Sequence, residues 1–114
     1  MESNSFKAAI RAMDPRKYVT PVAVRFMCVS TAHITKQDND AMSKNRAVDA
    51  CGDLNFDRFE YGYYVFVPDQ NDTDELPVSD TFKTLLHYAR ANGFMYIKLD
   101  CDGTVYPQLE VCDW

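Results

Sequence analysis

The sequence predicts an α+β fold, a small antiparallel sheet in split βαβ (ferredoxin-like) order with an extra helix at the N-terminus. Three observations carry that reading. Phe82, Leu85, Leu86 and Ala89 recur at helical spacing. Tyr61-Gly62 separates two aromatic runs as a hairpin turn does. Phe94 to Asp100 alternates apolar with polar, the period of a half-buried strand. Residues 1–20 are assigned to the N-terminal helix and residues 21–114 to a single α+β domain. A chain of 114 residues suits one domain, since domains mostly run to ~100–150 residues.

In chain order, Phe6, Ala9, Ile10 and Met13 fall on one helical face between Ser5 and Lys17, with Pro15 marking the end of that helix. Pro21 to Val29 is rich in β-branched and aromatic residues on both faces and reads as a central strand. Thr35 and Asp38 stand three apart, the spacing of an acidic capping box, ahead of a weakly amphipathic helix running towards Val48. Phe56 to Glu60 and Tyr63 to Val67 form the hairpin strands.

Pro68 to Pro77 is a breaker-rich acidic stretch without periodicity and reads as a loop. Ser79 caps the helix that carries Phe82 and Leu85, with Asp80 in its first turn, and Asn92-Gly93 stops it. Met95, Ile97 and Leu99 should share the buried face of the next strand. Asp102-Gly103 makes a turn, Thr104 to Tyr106 begins a return strand, and Leu109 and Val111 pack on the sheet.

Composition excludes several classes. With 46% hydrophobic and 25% charged residues and only 4 Gly, the chain is neither disordered nor collagenous. It has no apolar run near the ~18–20 residues of a membrane helix, so a cytoplasmic protein without membrane contact is expected. Charge is unevenly placed. Residues 1–50 hold eight Lys or Arg against five Asp or Glu, whereas residues 51–114 hold four against twelve. An acidic half of this kind argues against direct nucleic-acid binding, which needs cations for the phosphates. It suits a basic surface on another protein.

Cys28, Cys51, Cys101 and Cys112 include no Cys-x-x-Cys pair, and His33 and His87 are the only histidines. A zinc site, a disulfide framework and any other cofactor are therefore not expected. Ser30-Thr31-Ala32-His33 follows a strand, but no Gly-x-Ser-x-Gly elbow accompanies it. The aromatic residues Phe56, Phe59, Tyr61, Tyr63, Tyr64 and Phe66 outnumber what one sheet face must bury, which suits an interface.

Met95 to Thr104 ends a hydrophobic strand in Asp100-x-Asp102-Gly103-Thr104 and resembles the first motif of the haloacid-dehalogenase-type phosphatases. That resemblance implies a nucleophilic Asp100 and an acid–base Asp102. Only ten residues follow Thr104, too few for the Lys and metal carboxylates that the family needs.

A longer resemblance joins Cys28-Val-Ser-Thr-Ala-His-Ile-Thr35, the aromatic hairpin, the helix from Ser79 to Gly93, Leu99-Asp-Cys-Asp-Gly103 and the terminal Asp113-Trp114. In motif order, residues 22–114 resemble an uncharacterised family of small plasmid- and prophage-borne proteins known only as a domain of unknown function. The resemblance implies a mobile genetic element as context and carries no chemistry.

Together these readings lead to the expectation of a non-enzymatic, acidic, DNA-mimicking inhibitor of anti-CRISPR or anti-restriction type, borne by a phage or other mobile element. Its partner would be a host defence protein or nucleoprotein complex with a basic DNA-binding surface. Partner contacts are assigned to Asp69, Asp72, Asp74, Glu75, Asp80, Asp100, Asp102, Tyr61 and Tyr64. The alternatives are a small metal-dependent hydrolase using His33, Asp100 and Asp102, and a structural or regulatory interaction module.

Overall fold

The computed structural model describes residues 23–43 and 51–114. The expected N-terminal helix, and the part of the second expected helix beyond Ser43, lie outside the described residues. The class is α+β, with four strands and three α-helices among them: β1 Phe26–Ser30, α1 Lys36–Ser43, β2 Phe56–Phe59, β3 Gly62–Phe66, α2 Gln70–Glu75, α3 Asp80–Ala91 and β4 Tyr96–Asp100. A 3-10 turn, Thr31–His33, follows β1.

The strands lie in the order β1-β4-β3-β2. β2, β3 and β4 are antiparallel neighbours, but β1 runs parallel to β4 and holds the sheet edge. The sheet is thus mixed, and its order is not ferredoxin-like. Phe66 stands opposite Tyr96, so α2 and α3 form an excursion that returns β4 directly alongside β3. β4 then occupies the place expected for β1.

β1 is apolar on both faces for a different reason from burial. Met27 and Val29 enter the core, whereas Phe26 and Cys28 are exposed on the other side of the sheet. Elsewhere the period of two holds. Tyr63, Val65, Ile97 and Leu99 join Met27 and Val29 on the inner face. Met95 precedes β4 and is exposed.

Against that inner face lie Phe82, Leu85, Leu86 and Ala89 of α3 and Met42 of α1, all fully buried. Ser79 caps α3, its hydroxyl accepting from the Phe82 amide at 3.1 Å. Thr35 and Asp38 form the expected capping box: Thr35 N–H donates to Asp38 at 3.0 Å and Asp38 N–H to Thr35 Oγ1 at 3.1 Å. The buried Asp38 carboxylate also accepts from the Ser79 amide and hydroxyl, which ties the start of α1 to the start of α3.

The stretch expected as a loop contains α2. Six residues are too few to show a period, and the helix is held by its cap instead. Asp69 accepts from the Asp72 amide at 2.8 Å, and the buried Thr73 hydroxyl donates to the Asp69 carbonyl at 2.7 Å. After β4, Gly103 N–H closes the expected turn on the Asp100 carbonyl. No return strand follows. Residues 104–114 instead run as an irregular tail in which Leu109 is buried and Val111 is exposed.

Candidate functional site

A cleft of about 600 Å³ opens where β3 ends and α2 begins. Asp69, Asp72 and Glu75 line it from the α2 side, and Asp53 faces them from the turn before β2. Phe66, Val67, Leu76 and Pro77 supply its apolar wall. Asp53 is placed by Gly52, which holds a positive φ of 60°. A Cβ there would lie 2.7 Å from Pro77 Cδ, so the turn packs against the residue that follows Leu76, the C-cap of α2. No Lys or Arg among the described residues lies within ion-pair reach of these four carboxylates. The one cation on the wall, Arg90, donates to the Pro68 carbonyl at 3.3 Å.

Three of the predicted partner-binding residues therefore converge, and a fourth carboxylate, Asp53, joins them. Sequence reading missed Asp53 because sixteen positions separate it from Asp69 and only the fold closes that gap. Asp74 turns away and accepts from His87 Nε2 at 2.8 Å. Asp80 is exposed in the first turn of α3 and does not line the cleft.

Asp100 and Asp102 stand at the other end of the sheet, where Asp100 is opposite Gly62. The length of β4 separates the two ends by ~13 Å. Tyr61 is exposed beside them in the hairpin turn, its carbonyl accepting from Cys101 N–H at 3.0 Å. Tyr64 sits at mid-sheet opposite Lys98. The predicted acidic residues thus form two groups, with Asp74 and Asp80 in neither, and no single field.

Asp100, Cys101 and Asp102 bring three ligand-type side chains within 4.8 Å of one another. Their hydrogen bonds belong to the turn: Asp100 Oδ1 accepts from the Asp102 amide at 2.8 Å, and Oδ2 lies 3.8 Å from Lys98 Nζ. His33 is elsewhere. It is 1% exposed, with the Tyr106 amide donating to Nε2 at 2.8 Å and Nδ1 at 2.7 Å from the Glu110 carbonyl. That pattern assigns the proton to Nδ1. Both ring nitrogens are thereby used to fasten the tail, and neither is free for a substrate. The tail is held further by Cys112 N–H on the Ala32 carbonyl and Trp114 Nε1–H on the Ile34 carbonyl.

All four cysteines are free. Burial pushes the Cys51 thiol up from its ordinary 9.0, with Asp38 adding to the effect. Burial likewise raises Cys112, followed by the charges of Glu110 and Asp38. Thiols held protonated in this way are poor nucleophiles. No helix of the described residues is long and apolar enough to cross a membrane.

Residues 26–114 match the model of a family of unknown function (DUF5983), C-terminal domain. Neither the curated proteins nor the solved structures give a match.

Proposed function

The chain belongs to the DUF5983 C-terminal domain family, and from its own geometry we infer that it is a protein-binding module that presents carboxylates to a cationic surface. The observation that supports this reading is the cleft in which Asp53, Asp69, Asp72 and Glu75 meet without a Lys or Arg partner among the described residues. Four carboxylates around one concavity hold a negative potential that low-dielectric walls focus outward. A projecting arginine or lysine of a partner fits such a cleft, because its aliphatic stem meets Leu76 and Pro77 while its charge meets the rim.

The finer reading is an inhibitor of host defence proteins carried by a phage or other mobile element. It rests on the resemblance to plasmid- and prophage-borne proteins together with the excess of twelve acids over four bases in residues 51–114. The basic groove of a restriction or CRISPR nuclease, which otherwise receives DNA, is a surface of the required sign. A direct test titrates the protein into such nucleases bound to labelled duplex DNA. Displacement of the DNA, lost when Asp53, Asp72 and Glu75 are neutralised together, supports the reading. Unchanged DNA occupancy at every protein concentration across a panel of these nucleases refutes the inhibitor, leaving the cleft for another partner.

The hydrolase reading gains no support from the positions of its residues. His33 is spent on the tail and Asp100 on a turn.

A further inference from the structure

β1 holds one edge of the sheet and β2 the other. An edge strand presents a row of N–H and C=O groups with which another extended chain can pair, and proteins guard such rows with charges, prolines or bulges. β2 is guarded, because Asp57 and Arg58 fill the middle of its four residues. β1 is not. Phe26, Met27, Cys28, Val29 and Ser30 include no charge and no proline, and they pair with Tyr96–Asp100 without a break in register.

Two backbone bonds fix which groups of β1 face outward. The Arg25 carbonyl accepts from Met95 N–H at 3.1 Å, on the β4 side, whereas Ser30 N–H donates to the Thr104 carbonyl at 2.8 Å and not to β4. Direction alternates along a strand. Met27 and Val29 therefore bond β4, and the N–H and C=O groups of Phe26 and Cys28 point outward with those of Ser30. Among the described residues no backbone group pairs with Phe26 or Cys28 on that side.

We propose that a second copy of this chain fills the edge, its β1 antiparallel to the first about a two-fold axis at Met27. Phe26 of each copy then faces Cys28 of the other, and each such pair exchanges both of its N–H···O=C bonds. Ser30 keeps its bond to Thr104. A two-fold interface needs a surface complementary to itself, and β1 meets that need with neutral side chains along its whole length. Phe26, 51% exposed and 5.9 Å from the Tyr96 ring, gains the partner's Cys28 as a neighbour, and the outer faces of the two sheets join.

The charges near β1 leave this pairing open. Lys98 leans away from the edge, its Nζ 5.4 Å from the Phe59 ring centre, 5.9 Å from that of Tyr64 and 3.8 Å from Asp100 Oδ2. The β4 strands of the two copies stand three strand spacings apart, ~14 Å, beyond the Debye length of ~8 Å at physiological salt. Arg25 lies over the Phe94 ring of its own chain at 4.5 Å and donates to the Asn92 carbonyl at 2.8 Å. Asp57 is on β2, at the far edge. Pairing along one short strand falls short of the ~800 Å² per partner of a stable complex, so the dimer is reversible and concentration-dependent. None of the cleft carboxylates lies on β1, and the dimer displays two acidic clefts.

Sedimentation equilibrium of the full chain over a rising concentration series tests this. The average mass should climb from that of one chain towards that of two. Phe26→Lys sets a charge on the edge at an exposed position. It should raise the dissociation constant about tenfold or more and leave the melting temperature of the dilute protein in place. The register is checked with Phe26→Cys in a Cys101→Ser background, which removes the other exposed thiol. A hydrogen-bonded antiparallel pair sets its Cα atoms ~5.5 Å apart, within disulfide reach. Mild oxidation should therefore join the new thiol to the partner's Cys28, detected by peptide mass spectrometry.

The mass of one chain at every concentration overturns the proposal. So does a dimer that Phe26→Lys leaves intact, or one that oxidises through Cys28 of both copies, which is a different register. Slow hydrogen exchange at the Phe26 and Cys28 amides in dilute protein overturns it as well, because the edge is then paired within a single chain.

Discussion

His33 shows how a residue type associated with catalysis becomes structural. Its Nδ1–H reaches the Glu110 carbonyl and its Nε2 receives the Tyr106 amide, so one ring replaces the strand pairing that the tail lacks. His33→Ala removes the partner of two part-buried backbone groups and opens a cavity where a 1% exposed ring sat, and should lower stability by about 2–4 kcal/mol in a denaturant titration. If the hydrolase reading held, the main effect of that substitution would be on turnover and not on folding. Cys51 gives a pH prediction at the same scale. Its folded-state pKa is raised by burial above the ordinary 9.0, so the folded state retains a proton that the unfolded chain gives up. That contribution is complete below about pH 9 and is lost as pH rises through the folded value. The melting temperature should therefore fall as pH rises above about 9, and Cys51→Ala should flatten that fall.

At the scale of elements, α3 was legible because each of its signals is local. Ser79 caps it, Phe82, Leu85, Leu86 and Ala89 are all buried, and Asn92-Gly93 ends it. Leu85→Ala should cost about 2–5 kcal/mol, measured by thermal or denaturant melting. The hairpin, the Thr35–Asp38 box and the turn at Asp102-Gly103 were legible for the same reason. What the sequence hid is non-local. Apolar residues on both sides of β1 do not tell a buried strand from an edge strand with an aromatic outer face. No local pattern places β4 between β1 and β3, because that depends on how α2 and α3 return the chain. Likewise α2 depends on one cap at Asp69 and on burying Thr73 and Leu76. Asp69→Ala removes that cap and should lower stability by about 0.5–2 kcal/mol, read by the same melts. Asp72→Asn and Glu75→Gln should each stay within ~0.5 kcal/mol, since both are exposed on the rim.

For the whole molecule, the distribution of charge matters more than its total. The net charge is −5, and the fold gathers part of the acidic charge into the cleft while sending Asp100 and Asp102 to the far end of the sheet. A charge-presenting surface acts chiefly on encounter, so its signature is an association rate that salt suppresses. The most direct measurement is stopped-flow association with a DNA-free nuclease whose DNA groove is basic, for the native protein and for Asp53→Asn, Asp72→Asn and Glu75→Gln combined. The native rate should fall about tenfold or more between low and high ionic strength, and the triple variant should associate slowly at all salt concentrations with a dissociation rate changed far less. A triple variant that melts normally and associates at the native rate in low salt would contradict the role assigned to the cleft.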